Sequence, residues 1–548
     1  MSLAIEDLKK AVRGDVVNDQ KTRAIYSEDA SIFHLQPACV VSPKDTADLQ
    51  SLVRYAHEHR ADMSLTARAA GTDMSGGPLT TSVVVDFLKY FNKTLEVNDA
   101  GWARAQPGAY YRDFEKATLA KGWLLPCYTA SRELNTVGGM VANNSGGEQS
   151  LTYGKTNRYA REIEMVLDDG SLFRFKKLTR AELEQVKSEH TRAGDIHRHI
   201  EQLIAQHQEK IAKAKPAVSK DSTGYALWDV WDRKADTFDL TQIIVGSQGT
   251  LGLISEIDFS LVRPKKNSQM LVIFLHRRDM QKLGHLVNAI LAHKPESFES
   301  YDDHTFLILL KVLPSMLKRL GATIFSLGWK FLPEMRSVLT GGIPKLVLLA
   351  QFTSDDAHEA RVQAEKARDD LASFHVQTHL TKDASESEKY WVIRRESFNL
   401  LRSHVHGKLT APFIDDLSVL PEKLPEFLPK LYAILDEYDI TYTIAGHVGD
   451  GNFHIIPLVD FSRPDLAQIF HDLSEKVYDL TFSFGGSMSG EHNDGLIRTP
   501  FLEKMYGRDI VALFEETKNI FDPLTIFNPH KKVNFKPELA ILKSGKSA

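Results

Sequence analysis

Three glycine-rich stretches, in order along the first half of the chain, restrict its fold more than any other feature. The first, RAAGTDMSGG (68–77), lies between two strand-like runs, MSLTA (63–67) and SVVVDF (82–87). The second, TVGGMVANNSGGEQSLTYGKT (136–156), holds Gly138, Gly139, Asn143, Asn144, Gly146 and Gly147, and the third, VGSQGTLGLISEI (245–257), spaces glycines three apart at 246, 249 and 252. Small residues let successive backbone N–H groups point into one concavity, which is the geometry of an anion nest. A dinucleotide pyrophosphate suits such a nest, whereas a plain turn uses the same glycines. The recurrence of three loops in one half of the chain favours the ligand. None has the GxGxxG spacing between a strand and a helix, so a Rossmann site is excluded.

The segments around these loops predict two or three domains, more than one core usually organises in 548 residues. ACVV (38–41), a helix over roughly 44–58 introduced by SPKDT, and MSLTA form a strand–helix–strand unit. Residues 160–175 read as a hairpin turning at Asp168, Asp169 and Gly170. From Thr179, TRAE has the capping-box form and opens a charged helical insertion over about 177–216, expected on the surface. QIIVG (242–246) and LISEIDFSLV (253–262) read as strands, and VRPKK (262–266) as a domain exit. Beyond it, MLVIFL (270–275), KLVLLAQF (345–352) and a helix over 355–373 predict an α+β sandwich with helices on one sheet face. Residues 305–345 carry six basic residues and one acid, Glu334, among large apolar ones. A basic amphipathic segment on an anionic membrane and a helical pair with its lysines in water are equally compatible with that pattern.

A net charge of −5 with 43% apolar and 25% charged residues is that of an ordinary globular protein and gives no reason to expect nucleic acid as the main partner. The opening MSLAIEDLKKAV lacks the apolar core of a signal peptide, so the expected location is cytoplasmic. Two cysteines, Cys39 and Cys127, are too few for a cysteine-ligated iron–sulfur cluster. No run of ~18 apolar residues predicts a spanning helix.

In the second half, GHVGDGNFH (446–454) sets His447 and His454 around a glycine- and aspartate-rich turn, with flanks that alternate as strands. A hairpin would bring the imidazoles to neighbouring positions, about 5 Å apart. Taken alone, such a pair is more often structural. GGSMSGEHNDGLIR (485–498) adds Glu491 and His492 on another glycine-rich loop. Two imidazoles and a carboxylate leave coordination positions vacant for water or substrate, and they favour zinc, or Mn2+ or Fe2+, over calcium. YWVIRRESFNLL supplies Arg394 and Arg395, and a guanidinium suits a carboxylate ligand. His404 and His406 in SHVHG read as a packed or solvated pair.

RAAGTDMSGGPLTTSVVVDF, TVGGMVANNSGG, KDSTGYAL (220–227) and GSQGTLGLISE together resemble the FAD-linked oxidases and dehydrogenases of the vanillyl-alcohol-oxidase type, over nearly the whole chain. The resemblance implies an α+β fold with a two-subdomain flavin-binding domain of the p-cresol methylhydroxylase (PCMH) type over 1–265. A substrate (cap) domain over 266–515, an antiparallel sheet covered by helices, would carry the metal site, and 516–548 would return to the FAD domain. FAD contacts are implied at Arg68, Ala69, Ala70, Gly71, Thr72, Ser75, Gly76 and Gly77, at Gly138, Gly139, Asn143 and Gly146, at Gly249 and Ile254, and at Asn528 in IFNPHKKV (526–533). Where some relatives carry a histidine that bonds to the flavin, this loop reads Ala70, Gly71, Thr72, so non-covalent FAD is expected. Gln248 stands where the family usually has Glu.

GHVGDGNFH and SGEHNDG further resemble the D-2-hydroxyacid dehydrogenase branch, which acts on D-lactate, glycolate or D-2-hydroxyglutarate. That implies His447, His454 and Glu491 as ligands of a divalent metal, His492 as the base that takes the hydroxyl proton, and Arg395, followed by Glu396, as the grip on the substrate carboxylate. The α-hydrogen would leave as hydride for flavin N5. Hydroxyglutarate-specific relatives place a lysine where this chain has Ile414, so a D-lactate-like monocarboxylate is the expected substrate. The electron acceptor is expected to be a quinone, a cytochrome or a flavoprotein, while peripheral membrane contact through 305–345 and a homodimer stay undecided. Two rival readings remain at this level: a metal-dependent hydrolase, and a flavin enzyme of the alkyl-glycerone-phosphate synthase type without net redox.

Overall fold

The computed structural model describes residues 4–307, 342–404 and 408–543, with the side chains of 396–404 left aside. Most of the basic segment expected at 305–345, together with His406 and the side chain of His404, lies outside the described residues. Among the described residues no helix is long and apolar enough to cross a membrane.

The strand–helix–strand unit forms a four-stranded sheet in which Cys39–Ser42, Val83–Asp86 and Leu65–Arg68 run parallel and Asp15–Val17 adds an antiparallel edge. Continuous apolar runs such as VVVD suit strands buried on both faces. Asp45 caps the crossover helix Thr46–Glu58 by accepting from the Asp48 N–H, and Leu49, Leu52, Val53 and Ala56 pack that helix into the sheet's core. Loop 69–77 therefore leaves the carboxyl end of a parallel strand, where open α/β sheets bind their ligands. A second sheet is antiparallel, in the order Thr94–Asn98, Trp102–Ala105, Leu253–Ser260, Ala160–Val166, Leu172–Lys176.

Two local expectations fail here. QIIVG is not a strand: Thr241–Ile244 is a short helix, preceded by an Asp239 carboxylate that accepts from the N–H and hydroxyl of Thr241. A four-residue apolar run does not distinguish a buried strand from a buried helical turn. The insertion does open with the Thr179/Glu182 capping box, yet it is more than a surface element. Its helix Arg192–Gln206 buries Ile196, His197, Ile200, Leu203 and Ile204 in the core behind the second sheet.

His197 is 1% exposed, stacks on Phe175, and donates from Nδ1 to the Ala193 carbonyl. Burial pushes its imidazole down to about 4. An unfolded histidine takes its proton near pH 6.5, so this stabilisation is complete above that pH and is lost as pH falls through the folded value. Wild type is expected to lose up to about 3 kcal/mol more stability than His197→Phe between neutral pH and pH ~4.5. Urea unfolding of both proteins across that range checks it, and parallel pH profiles would refute it.

The largest sheet is antiparallel, in the order Gln377–Leu380, Asn267–Leu275, Leu346–Ser354, Ser297–Asp302, Thr441–His447, Asn452–Val459, Leu409–Thr410, with Leu417–Ser418 also paired to Asn452–Val459. Leu271, Ile273 and Leu275 face helices Leu283–Ala292 and Ala357–Asp370, while Met270, Val272 and Phe274 face Tyr390, Trp391 and Ile393 of helix Ala384–His404. Helices thus cover both faces, not one. MLVIFL itself carried that signal, since a strand with a solvated face alternates polar residues.

The C-terminal part turns back to the first two sheets. Helix Arg508–Phe521 puts Ile510, Leu513, Phe514 and Phe521 into the core of the second, so the return starts before the expected residue 516. Phe527 bridges Leu65 of the first sheet, and the Asn528 N–H donates to the Leu65 carbonyl.

Candidate metal and flavin site

The hairpin at 441–459 turns through Val448–Asp450 and Gly451, which takes a φ of 66° and has no Cβ to strike the Val419 carbonyl. Its register pairs His454 with Ala445 and His447 with Asn452. The two histidines are therefore diagonal neighbours on one face instead of a directly facing pair, with ring centroids 5.3 Å apart at 86°.

The loop carrying Glu491 and His492 is fastened to this hairpin by one carboxylate. Asp416 Oδ2 accepts from the Ser489 hydroxyl at 2.7 Å and from the N–H groups of Glu491 and His492 at 2.8 and 2.7 Å. Its Oδ1 accepts from the Asn452 amide at 3.0 Å. Ligand-type atoms of His447, His454 and Glu491 then lie within 4.8 Å of one another. A second such group, Asp415, His454 and His492, shares His454.

Two buried acids sit behind the imidazoles. Glu299 Oε1 lies 2.6 Å from His447 Nδ1, and Asp415 lies 3.3 Å from His454 Nδ1 and 2.9 Å from His492 Nδ1. At His447 the contact is a hydrogen bond, and a carboxylate on Nδ1 fixes the tautomer that leaves Nε2 for a ligand, the arrangement usual behind metal-bound histidines, while Asp415 stands at ion-pair distance from the other two rings. The donor set thus fits a divalent transition ion, which His447, His454 and Glu491 would hold, with Glu299 and Asp415 behind them.

Electrostatics keep the acids ionised. Burial opposes charge on Glu491, but Lys220, 2.6 Å from its Oε1, and His447 outweigh burial and hold the carboxyl well below the usual range. Burial likewise opposes charge on His492, and Asp416 and Asp415 outweigh it, raising the imidazole to about 9. His447 is raised to about 9 against the same penalty, chiefly by Glu299.

One cavity of about 820 Å³, within the range of cofactor pockets, joins this cluster to the glycine loops. Of the residues singled out in the sequence, Arg68, Ala69, Ala70, Gly71, Thr72, Gly77, Gly138, Gly139, Asn143, Gly249, Ile254, Arg395, His447, His454, Glu491 and His492 line it. Ser75, Gly76, Gly146 and Asn528 do not. The N–H groups of Ser75 and Gly77 donate to the Asp73 carboxylate, at 3.0 and 2.8 Å, so the first loop's own side chain already occupies part of its nest. Gly76 packs under Phe33 and Leu496, and a Cβ on Gly146 would come 3.1 Å from Glu491 Oε1. Asn528 acts from behind, donating to the carbonyls of Gly77 and Gln248 and tying the first loop to the third.

The two arginines divide differently from the expectation. Arg395 gives its fork to Glu148, with Nε to Oε2 at 3.0 Å and Nη2 to Oε1 at 2.6 Å. Arg394, 4% exposed and also lining the cavity, reaches Glu299 Oε2 at 3.1 Å and so joins the carboxylate that holds His447. Sequence reasoning missed Glu299, Lys220, Asp415, Asp416 and Glu148. Asp415 and Asp416 stand in the APFIDDLS run, and Lys220 opens KDSTGYAL, where the resemblance implies flavin contacts. Glu299 and Glu148 had no local signal.

Residues 37–176 match the model of an FAD binding domain, and residues 266–532 match that of the C-terminal domain of FAD linked oxidases. D-2-hydroxyglutarate dehydrogenase of Pseudomonas putida is 29% identical over 95% of this chain, which spans only 50% of that relative's length. Glycolate oxidase subunit GlcD of Bacillus subtilis is 26% identical, over 93% of this chain and 92% of its own. Among solved structures, 4-ethylphenol oxidase from Gulosibacter chungangensis shares the fold at a TM-score of 0.68 and 15% identity, covering 98% of this chain and 97% of the other.

Proposed function

Because this chain belongs to the FAD-linked oxidase family, we propose that it is an FAD-dependent dehydrogenase that oxidises a D-2-hydroxy acid, a D-lactate-like monocarboxylate in the first instance, to the 2-oxo acid. The observation that carries the reading is the single cavity lined both by the flavin-family loops and by the histidine–carboxylate cluster. A hydrolase would leave the loops without a role.

When bound, non-covalent FAD supplies the two-electron acceptor, and a divalent ion, Zn2+ before Mn2+ or Fe2+, supplies a Lewis acid that eases loss of an alcohol proton. His447, His454 and Glu491 would hold the ion. His492 takes the hydroxyl proton, and Asp415, 2.9 Å from its Nδ1, stabilises the imidazolium that forms and fixes the ring's orientation. Asp416 and Asp415 outweigh burial and raise the affinity of the His492 imidazole for a proton, which suits a group that takes one.

For the substrate carboxylate we propose Arg394, which its contact with Glu299 sets beside the histidine cluster, in place of Arg395, which meets Glu148. Arg394→Ala is expected to raise KM about tenfold to a hundredfold, the worth of a charge-assisted hydrogen bond, with a smaller effect on kcat. Steady-state kinetics on Arg394→Ala and Arg395→Ala decide between them: a KM effect confined to Arg395 would reinstate it. A second carboxylate finds no cation at position 414, where Ile414 is packed in the core, which supports a monocarboxylate. Quinone, a cytochrome or a flavoprotein are the acceptor classes to test.

The deciding experiment is dye reduction by both enantiomers of lactate, by glycolate and by 2-hydroxyglutarate, with metal analysis of the same sample. D-selective reduction by a yellow, metal-containing protein is expected. A protein that reduces dye with none of these acids would refute the reading.

A further inference from the structure

A second, polar chamber of about 210 Å³ adjoins the main cavity, and Glu388 and Arg395 line both. Its wall includes Glu148, Gln149, Ser297 and Trp391. Most of the polar groups there are satisfied by one another. Glu148 accepts from Arg395 on both oxygens and from the Tyr128 hydroxyl, and the Trp391 indole N–H donates to the Gln351 amide oxygen.

Two buried atoms of the wall have no hydrogen-bond partner among the described residues: Ser297 Oγ and Gln149 Oε1. Ser297 is 1% exposed. The Gln149 amide nitrogen faces Glu296, which orients the amide and leaves its oxygen as an acceptor in need of a donor. Buried polar atoms of this kind carry a cost unless a ligand or water completes them. The chamber's charges add to the selection, since Glu148 and Glu388 face Arg395, the one cation among the described lining residues.

We propose that the chamber is a distal substrate subsite, taking the hydrogen-bond-donating end, a hydroxyl or an ammonium group, of a 2-hydroxy acid whose α-hydroxy carboxylate end lies at the histidine cluster. The inference rests on the dehydrogenase reading. A hydroxyl or ammonium end can donate to Gln149 Oε1 or to Ser297 Oγ. A methyl end satisfies neither, and a carboxylate end brings no donor and meets two acids against one arginine. The Arg395–Glu148 pair then forms the partition that the chain of the substrate must pass.

The test uses the FAD-loaded protein and D-2-hydroxy acids of one chain length that end in a hydroxyl, an ammonium, a methyl or a carboxylate. In kcat/KM the hydroxyl and ammonium ends are expected to exceed the methyl end by about tenfold, the value of one net hydrogen bond, with the carboxylate end last. Ser297→Ala should collapse the hydroxyl-to-methyl ratio, and Glu388→Gln, at a site 61% exposed, should lower the ammonium-to-hydroxyl ratio. Calorimetric binding of the corresponding 2-oxo acids gives the same ranking without turnover. If no acid reduces dye but the binding order and its dependence on Ser297 persist, the dehydrogenase reading falls and the chamber stands. Methyl or carboxylate ends that match the hydroxyl end, ratios unmoved in both variants, or no binding at all would overturn the proposal, the first pointing to a chamber filled by water alone.

Discussion

His492→Ala is expected to lower the turnover number by about a hundredfold to ten-thousandfold, the usual worth of a positioned general base, while the protein keeps its flavin colour and its metal. His492 lies outside the proposed ligand set, and its Nδ1 is engaged by Asp415 at 2.9 Å. The loss should therefore fall on kcat and leave substrate binding nearly unchanged. Asp415→Asn tests the same dyad from behind: it keeps the side chain's shape but removes the charge that stabilises an imidazolium. Partial rescue of His492→Ala by added imidazole would support proton transfer at that position. A variant that turns over near the wild-type rate would remove His492 from the mechanism.

The second large effect is expected at the ligand set. His447→Ala and His454→Ala should each lose bound metal and dye reduction together, by about a thousandfold, because the Lewis-acid contribution is several kcal/mol. Flavin should remain, since its loops do not depend on these side chains. Histidine variants are cleaner probes than Glu491→Gln, which would remove the charge that the buried Lys220 meets at 2.6 Å and leave it Asp450 at 3.3 Å as its carboxylate partner. Metal content, flavin absorbance and kcat on the same preparation make the comparison. Wild-type protein that stays active after its metal is stripped, or histidine variants that stay both loaded and active, would refute the metal role.

How much of this was legible in the sequence differs between the fold and the site. The strand–helix–strand unit at 38–67, the hairpins over 160–175 and around 446–454 and the capping box at Thr179 all follow from local patterns, and the structure contains them. The helical turn in QIIVG and the second covered face of the large sheet were misread because both depend on what packs against an apolar run. In the site, His447, His454, Glu491 and His492 could be named from turn chemistry and donor type, and they share the cavity. Ser75 and Asn528, expected as flavin contacts, do not line that cavity: Ser75 donates to Asp73, and Asn528 donates to the carbonyls of Gly77 and Gln248.

The sequence by itself determined which donor types exist and which short turns present them, because hydrogen bonding and φ preferences act within a few residues. Only the tertiary structure decided which acid stands behind which imidazole. Glu299 meets His447 across 148 residues and Lys220 meets Glu491 across 271, distances over which no local propensity reaches. Those pairings arise from sheet register and from the cost of burying an uncompensated charge, and they select the tautomers and charges the chemistry requires.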